Sequence, residues 1–206
     1  MKKTGDSIFL LHLRFAQLDK YFGLRRRAVQ IAQQIDHEIA RSRERLRGIV
    51  FDFTGVELVG LAFTDELLAQ SLVFVRRPDD DGMFLVFVGA NEEVRTAVDA
   101  ALDRHRAIAF SADSSADVER GNLQLIGAND ELRELYERVS ASGETRASEL
   151  KDMIDTSRTN TANRLKRLRE YGVVAGAPTH GKGQPLAYKA AFPPKGNLQL
   201  VEAATH

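Results

Sequence analysis

The chain has 206 residues, 43% apolar and 28% charged, enough to bury a core in one large unit or two small ones. Basic and acidic residues number 29 each, so no global basic field marks the chain for nucleic acid or a membrane surface. There is no cysteine, which excludes disulfides and thiolate metal sites and fits an expectation of a cytoplasmic protein.

The opening MKKTGDSIFLLHLRF begins like a signal peptide. His12 and Arg14 interrupt its apolar run and no small-residue cleavage site follows, so residues 7–15 are read as a buried strand. No stretch approaches the roughly 20 apolar residues of a membrane span. From Leu24 to Arg45, apolar residues at Ala28, Ile31, Ala32, Ile35, Ile39 and Ala40 recur in steps of three and four, which predicts one long amphipathic helix. GIVFDFTGV then reads as a strand and FTDELLAQSLVFV as a helix with an acidic start. MFLVFVG, residues 83–89, is a near-continuous apolar run, the pattern of a strand buried on both faces. Asn91 is placed to cap a helix whose first turn holds Glu92 and Glu93. AIAF, residues 107–110, closes the series as a strand. Alternating strands and helices of this length predict an α/β layer domain over residues 1–112.

Within that half, Asp52-Phe53-Thr54-Gly55-Val56 followed by Ala62-Phe63-Thr64-Asp65-Glu66-Leu67 resembles the STAS-like family, relatives of anti-sigma-factor antagonists. The upstream GLRRRAVQIA resembles the helix that precedes this strand in the family, and the likeness covers roughly residues 7–110. It implies a domain that docks onto a histidine-kinase-like ATPase or another STAS-like protein, and a serine at the helix start whose phosphorylation breaks docking. Leu61 and Ala62 occupy the serine positions here, and neither accepts a phosphoryl group. The docking set on this reading is Asp52, Thr54, Leu61, Ala62, Thr64, Asp65 and Glu66. Read from the residues alone, Thr64 is a helix N-cap, Asp65 and Glu66 suit the helix dipole, and Asp52 bonds loop amides. A carboxylate acid/base pair would need a pocket and an orienting partner.

SADSSADVERGN is rich in Ser, Asp, Ala and Gly without apolar periodicity, so residues 113–127 read as a linker. The pentapeptide GNLQL occurs at 121–125 and again at 196–200, flanking the second half as a pair of mutually paired edge strands would. DELRELYERVSAS, residues 130–142, carries Leu132, Leu135, Tyr136 and Val139 on one helical face behind an Asn129 or Asp130 cap. RASELKDMI reads as a second helix. Ser157 then caps RTNTANRLKRLREYG, with Ala162, Leu165 and Leu168 facing inward, Tyr171 packing on the hairpin and Gly172 ending the helix. VVAGA and LAYKAAF are short strands joined by the basic, glycine-bearing PTHGKGQP. Between Thr156 and Lys195 stand eight basic residues and one acidic residue, a local stripe that the neutral total hides.

Helix, helix, turn, helix and basic hairpin make the order of a winged helix-turn-helix, and TANRLKRLREYGVV resembles the recognition helix and next strand of MarR- and ArsR-like regulators. The likeness covers roughly residues 129–192 and implies an α+β unit over residues 128–206, with a C-terminal tail. A recognition helix presents its first residues to base edges. Here these are Ser157, Arg158, Thr159, Asn160, Asn163 and Arg164, where Arg suits guanine and Asn adenine. Lys166 and Arg167 lie further along for phosphates, and His180 and Lys182 sit on the hairpin tip. The expected function is a DNA-binding transcriptional regulator, homodimeric because one recognition helix reads few base pairs. The alternative is a protein-interaction adaptor that docks onto a kinase-like ATPase. The five scattered histidines, with no metal-ligand spacing and no Gly-rich phosphate loop, give no ground to expect an enzyme, a cofactor or a metal.

Overall fold

The computed structural model describes residues 8–42, 46–75, 83–150, 157–177, 187–191 and 198–203. In the first half, β1 (Ile8–Arg14) leads through a 3₁₀ turn (Phe15–Gln17) and β2 (Tyr21–Phe22) to α1 (Arg25–Ser42). Next come β3 (Leu46–Asp52), β4 (Leu58–Val59), α2 (Leu61–Val75), β5 (Phe84–Val88), α3 (Glu92–His105) and β6 (Ala109–Ala112). Strands β1, β3, β5 and β6 run parallel in that order. Sequential order with right-handed crossovers places the intervening helices on one face, and α2 packs between α1 and α3 accordingly. The periodic apolar residues of α1 meet this layer: Ala28, Ile31, Ala32, Ile35 and Ile39 are buried, while Ala40, expected with them, is exposed near the helix end.

Apolar strands need cover on both faces. All five residues of β5 are buried, as the unbroken FLVFV run demands. Residues in register on adjacent strands share a face. One row crosses the whole sheet: Glu202, His12, Val50, Val86, Phe110 and Leu125. The helices of the first half cover the opposite face, where Phe15, Phe51, Phe53 and Phe63 form an aromatic cluster, with Phe15 and Phe53 stacked at 4.6 Å. The face bearing His12 and Phe110 is covered by elements from later in the chain.

Residues 113–127, expected as a linker, hold two elements. These are α4 (Ser115–Arg120), capped by Ser114 onto Asp117 N, and β7 (Gln124–Ile126), antiparallel to β6. The Ser and Asp that suggest a loop by composition serve here as the cap and first turn of a helix. The C-terminal segment, expected as a tail of the second unit, contributes β11 (Leu198–Glu202), which pairs parallel with β1. The six-stranded order is β11-β1-β3-β5-β6-β7, so the two GNLQL copies lead into or lie in strands at opposite edges of one sheet and do not pair with each other.

The second half holds α5 (Asp130–Ser142), β8 (Thr145–Arg146), α6 (Ala147–Leu150), α7 (Arg158–Glu170), β9 (Val174–Ala177) and β10 (Ala187–Ala190). Of the two expected candidates Asn129 caps α5, accepting from Leu132 N, and Ser157 caps α7 as expected, accepting from Asn160 N. The strands form a separate antiparallel sheet, β8-β10-β9. Tyr136 of α5 sets its ring 5.6 Å from Phe110, on the sheet face that the first-half helices leave open. The result is a mixed α/β protein built on a largely parallel sheet.

Candidate functional site

Two surfaces carry the residues singled out from the sequence. The first is α7. Thr161, Leu165 and Leu168 are fully buried, and Thr161 returns its hydroxyl to Ser157 O at 3.1 Å. Ala162, expected in the core, is half-buried, one position round the helix from the true inner face. The opposite face presents Thr159, Asn160, Asn163 and Lys166 to solvent, with Ser157 exposed at the cap. Arg158 is the first residue of the helix. Arg164 and Arg167 are only partly exposed. Arg164 forms an ion pair with Glu131 of α5, and Arg167 points a guanidinium N–H at the carbonyl of Arg106, 3.5 Å away. His180 and Lys182 lie outside the described residues.

Tyr171 is buried and its hydroxyl donates to that same Arg106 carbonyl at 2.7 Å, so its contact is with the first half as well as its own unit. Arg106 ends α3 in the left-handed conformation at φ 50°, turning its carbonyl out toward α7. The orientation of α7 is therefore tied to the end of α3.

The second surface lies around the start of α2. The helix begins at Leu61, one turn earlier than its Thr-Asp-Glu signal suggests, because Gly60 O accepts the N–H groups of Phe63 and Thr64. Thr64 is consequently inside the helix, 1% exposed, with its hydroxyl on Gly60 O at 3.3 Å; it is not the N-cap. Leu61 and Ala62 are exposed, as is Thr54, while Glu66 is half-buried and accepts from Gln70. Asp65 is not a first-turn dipole partner either. It is 8% exposed and its carboxylate gathers Arg104 at 3.0 Å, His105 at 3.0 Å and Arg25 at 3.6 Å, joining α1, α2 and the end of α3.

Asp52 belongs to neither surface. It is 6% exposed, and its Oδ1 accepts the backbone N–H of Thr54 at 2.9 Å, the loop-amide bond expected of it. Its Oδ2 lies 3.0 Å from His12 Nε2 and accepts the Ser115 hydroxyl at 3.0 Å. His12 is fully buried, and its Nδ1 lies 3.1 Å from Glu202 Oε1, which also pairs with Arg14 at 2.9 Å. Burial alone would push the Asp52 carboxyl up; hydrogen bonds from His12, Thr54 and Ser115 outweigh it and hold the group well below the usual carboxylate range. Distances alone place a serine, a histidine and an acid in line. The Asp52 carboxylate, however, occupies the Nε2 side and accepts the hydrogen bond of the Ser115 hydroxyl, so the cluster serves as a tie between β1, β3, α4 and β11.

A cavity of about 750 Å³ opens at the carboxyl ends of β5 and β6, between α3 and β7, with Phe87, Val98 and Ile126 inside and Arg95, Asp99 and Asn122 among its polar lining. Burial raises the Asp99 carboxyl. Sequence reasoning does not find the His12 cluster: His12 and Glu202 are 190 positions apart and no local spacing joins them. The one signal was a histidine and an arginine inside an otherwise apolar strand.

No protein-family model matches this chain, and no curated protein sequence matches it. Among the described residues, no helix is long and apolar enough to cross a membrane, and no group of three or more His, Asp or Glu side chains is placed to hold a metal ion.

Proposed function

We propose that this chain is a DNA-binding transcriptional regulator. Its first unit, of STAS-like type, receives a protein partner, and its second unit, a winged helix, binds an operator as half of a homodimer. The observation that carries the reading is the exposed polar face of α7: Thr159, Asn160, Asn163 and Lys166 stand opposite the buried Thr161, Leu165 and Leu168. Short amide and hydroxyl side chains at the start of a basic helix suit base edges, and a lysine further along suits phosphate. The element order α5, β8, α6, α7, β9, β10 and the sheet order β8-β10-β9 support a winged helix in which α7 is the reading helix.

The ion pair from Arg164 to Glu131 and the contact from Arg167 to Arg106 favour a supporting role for these two cations, which leaves direct reading to Thr159, Asn160, Asn163 and the helix start. The test is a titration against duplex DNA from the chain's own promoter region at two salt concentrations. Asn163→Ala should weaken sequence-specific binding by roughly five- to 150-fold, the cost of one bidentate base contact. Lys166→Ala should weaken binding evenly across sequences and flatten the salt dependence. Binding that is absent, or indifferent to both substitutions, would sink the proposal.

A second reading, an adaptor that docks onto a histidine-kinase-like ATPase without reading DNA, is favoured by the exposure of Leu58 and Leu61 beside the start of α2. On that reading docking is constitutive, since Leu61 and Ala62 carry no hydroxyl and Thr64 is buried. Binding of the ATPase by a protein that fails the DNA titration would select it.

A further inference from the structure

Two features near the start of α1 work against folding and are explained by neither the core nor the DNA-reading face. The first is apolar exposure. Six large apolar side chains are exposed among the described residues, and four of them meet here: Tyr21 at 59%, Leu24 at 73%, Leu58 at 49% and Leu61 at 41%. Their contiguity follows from the backbone. Tyr21 and Leu58 are register partners in the parallel pair β2–β4. Gly60 N donates to Phe22 O at 2.6 Å, and a Cβ on Gly60 would stand 3.2 Å from the Cα of Gly23. The two chain segments therefore run side by side as far as Gly23 and Gly60, and the next residue on each is an exposed leucine. Scattered exposed leucines are ordinary in folded proteins, but a contiguous apolar patch marks an interaction site.

The second feature is charge. Helix α1 opens with Arg25, Arg26 and Arg27 and has no acidic residue in its first turn. A helix start already carries a partial positive charge, so each cation there costs stability. Arg26 is exposed, Arg27 bonds the neutral amide of Gln30, and Arg25 reaches Asp65 only at 3.6 Å. On the far side of the patch, Lys20 is already matched by Glu57 at 3.0 Å, and Tyr21 also donates to Glu57. Among the described residues, the charge outside an ion pair on the α1 side is that of Arg26 and Arg27, and on the far side it is that of Asp19, whose Oδ1 accepts the backbone N–H groups of Lys20 and Tyr21.

We infer that the patch formed by Tyr21, Leu24, Leu58 and Leu61 with the Arg25–Arg27 rim binds an acidic protein segment that inserts apolar side chains between the leucines and lays carboxylates along the arginines. The inference rests on the reading that the first unit receives a partner, and it assigns that partner's chemistry. A bilayer is disfavoured because the exposed Asp19 stands beside Tyr21 on the far side of the patch and would be driven against anionic headgroups.

The test uses the full chain and three probes: a synthetic helical peptide with a leucine stripe and glutamate elsewhere, its lysine counterpart, and vesicles of phosphatidylserine and phosphatidylcholine. The glutamate peptide should bind, and Leu24→Ser, Leu61→Ser and Arg26→Glu should each weaken it by about ten-fold or more, the loss typical of a central contact. Arg26→Glu should at the same time raise the melting temperature, because it replaces a cation with an anion at the helix start. All three positions are exposed, so thermal unfolding should show intact folds. Stronger binding of the lysine peptide through the same leucines would overturn the acidic assignment and leave the docking reading standing. Binding of vesicles alone, self-association abolished by the leucine substitutions, or no peptide binding that depends on the leucines would each overturn both.

Discussion

At the end of β3, burial and hydrogen bonding pull the Asp52 carboxyl in opposite directions, and hydrogen bonding wins. Its folded-state pKa lies below the unfolded value of about 3.9, so its contribution to stability is fully present above that value and fades as the pH falls toward the folded-state one. Asp52→Asn keeps the shape but strands a fully buried His12 beside a neutral amide. The expected cost at neutral pH is about 2 kcal/mol, as for loss of hydrogen bonding to a charged acceptor. Chemical denaturation should show the gap between wild type and variant narrowing below about pH 4, with the sign fixed by the same linkage. Tyr171 is the second residue whose effect is readable. Tyr171→Phe removes the hydroxyl that donates to Arg106 O, and equilibrium unfolding should show a loss of about 0.5–1.5 kcal/mol.

Among the elements, α5 and α7 are legible in the sequence because each begins with a capping side chain: Ser157 caps α7 as expected, and of the two candidates for α5 it is Asn129 that accepts a backbone N–H. The start of α2 was misread for a physical reason. Thr-Asp-Glu is a strong cap signal, but Leu61, Ala62 and Phe63 continue the helical period, and Phe63 is fully buried against Phe15 and Phe22. Tertiary packing therefore extends the helix back to Gly60 and turns the supposed cap, Thr64, into an interior residue. The linker expectation failed in the opposite direction. SADSSADVERGN has one apolar anchor, Val118, too little for periodicity to register, yet Val118 is fully buried and one Ser cap suffices for a short helix.

For the whole molecule, the alternation of strands and helices announced a parallel-rich α/β layer, and the register of apolar runs announced which strands are covered on both faces. What covers the second face was not legible, since Tyr136, Ser115 and Glu202 reach it from distant parts of the chain. The two halves are therefore not beads on a string: Tyr136 rests on Phe110, Tyr171 and Arg167 hold the end of α3, and β11 edges the first sheet. Removing the residues after Ala191 deletes β11, frees the edge of β1 and strips Glu202 from His12 and Arg14. Thermal unfolding of that truncated chain should show a lower midpoint; an unchanged midpoint would mean that β11 adds nothing to the sheet.

The pairing of β11 with β1 also bears on the order of events during synthesis. Strand β1 leaves the ribosome well before β11, so that edge of the sheet stays open while the residues between them are made. Until then β1 exposes an apolar edge, a template for pairing with any neighbouring nascent chain. Closure links residues nearly the full chain length apart, which slows the final step relative to the local helix pairs of the second unit. When β11 arrives, Glu202 matches both His12 and Arg14, the two polar side chains of that otherwise apolar strand.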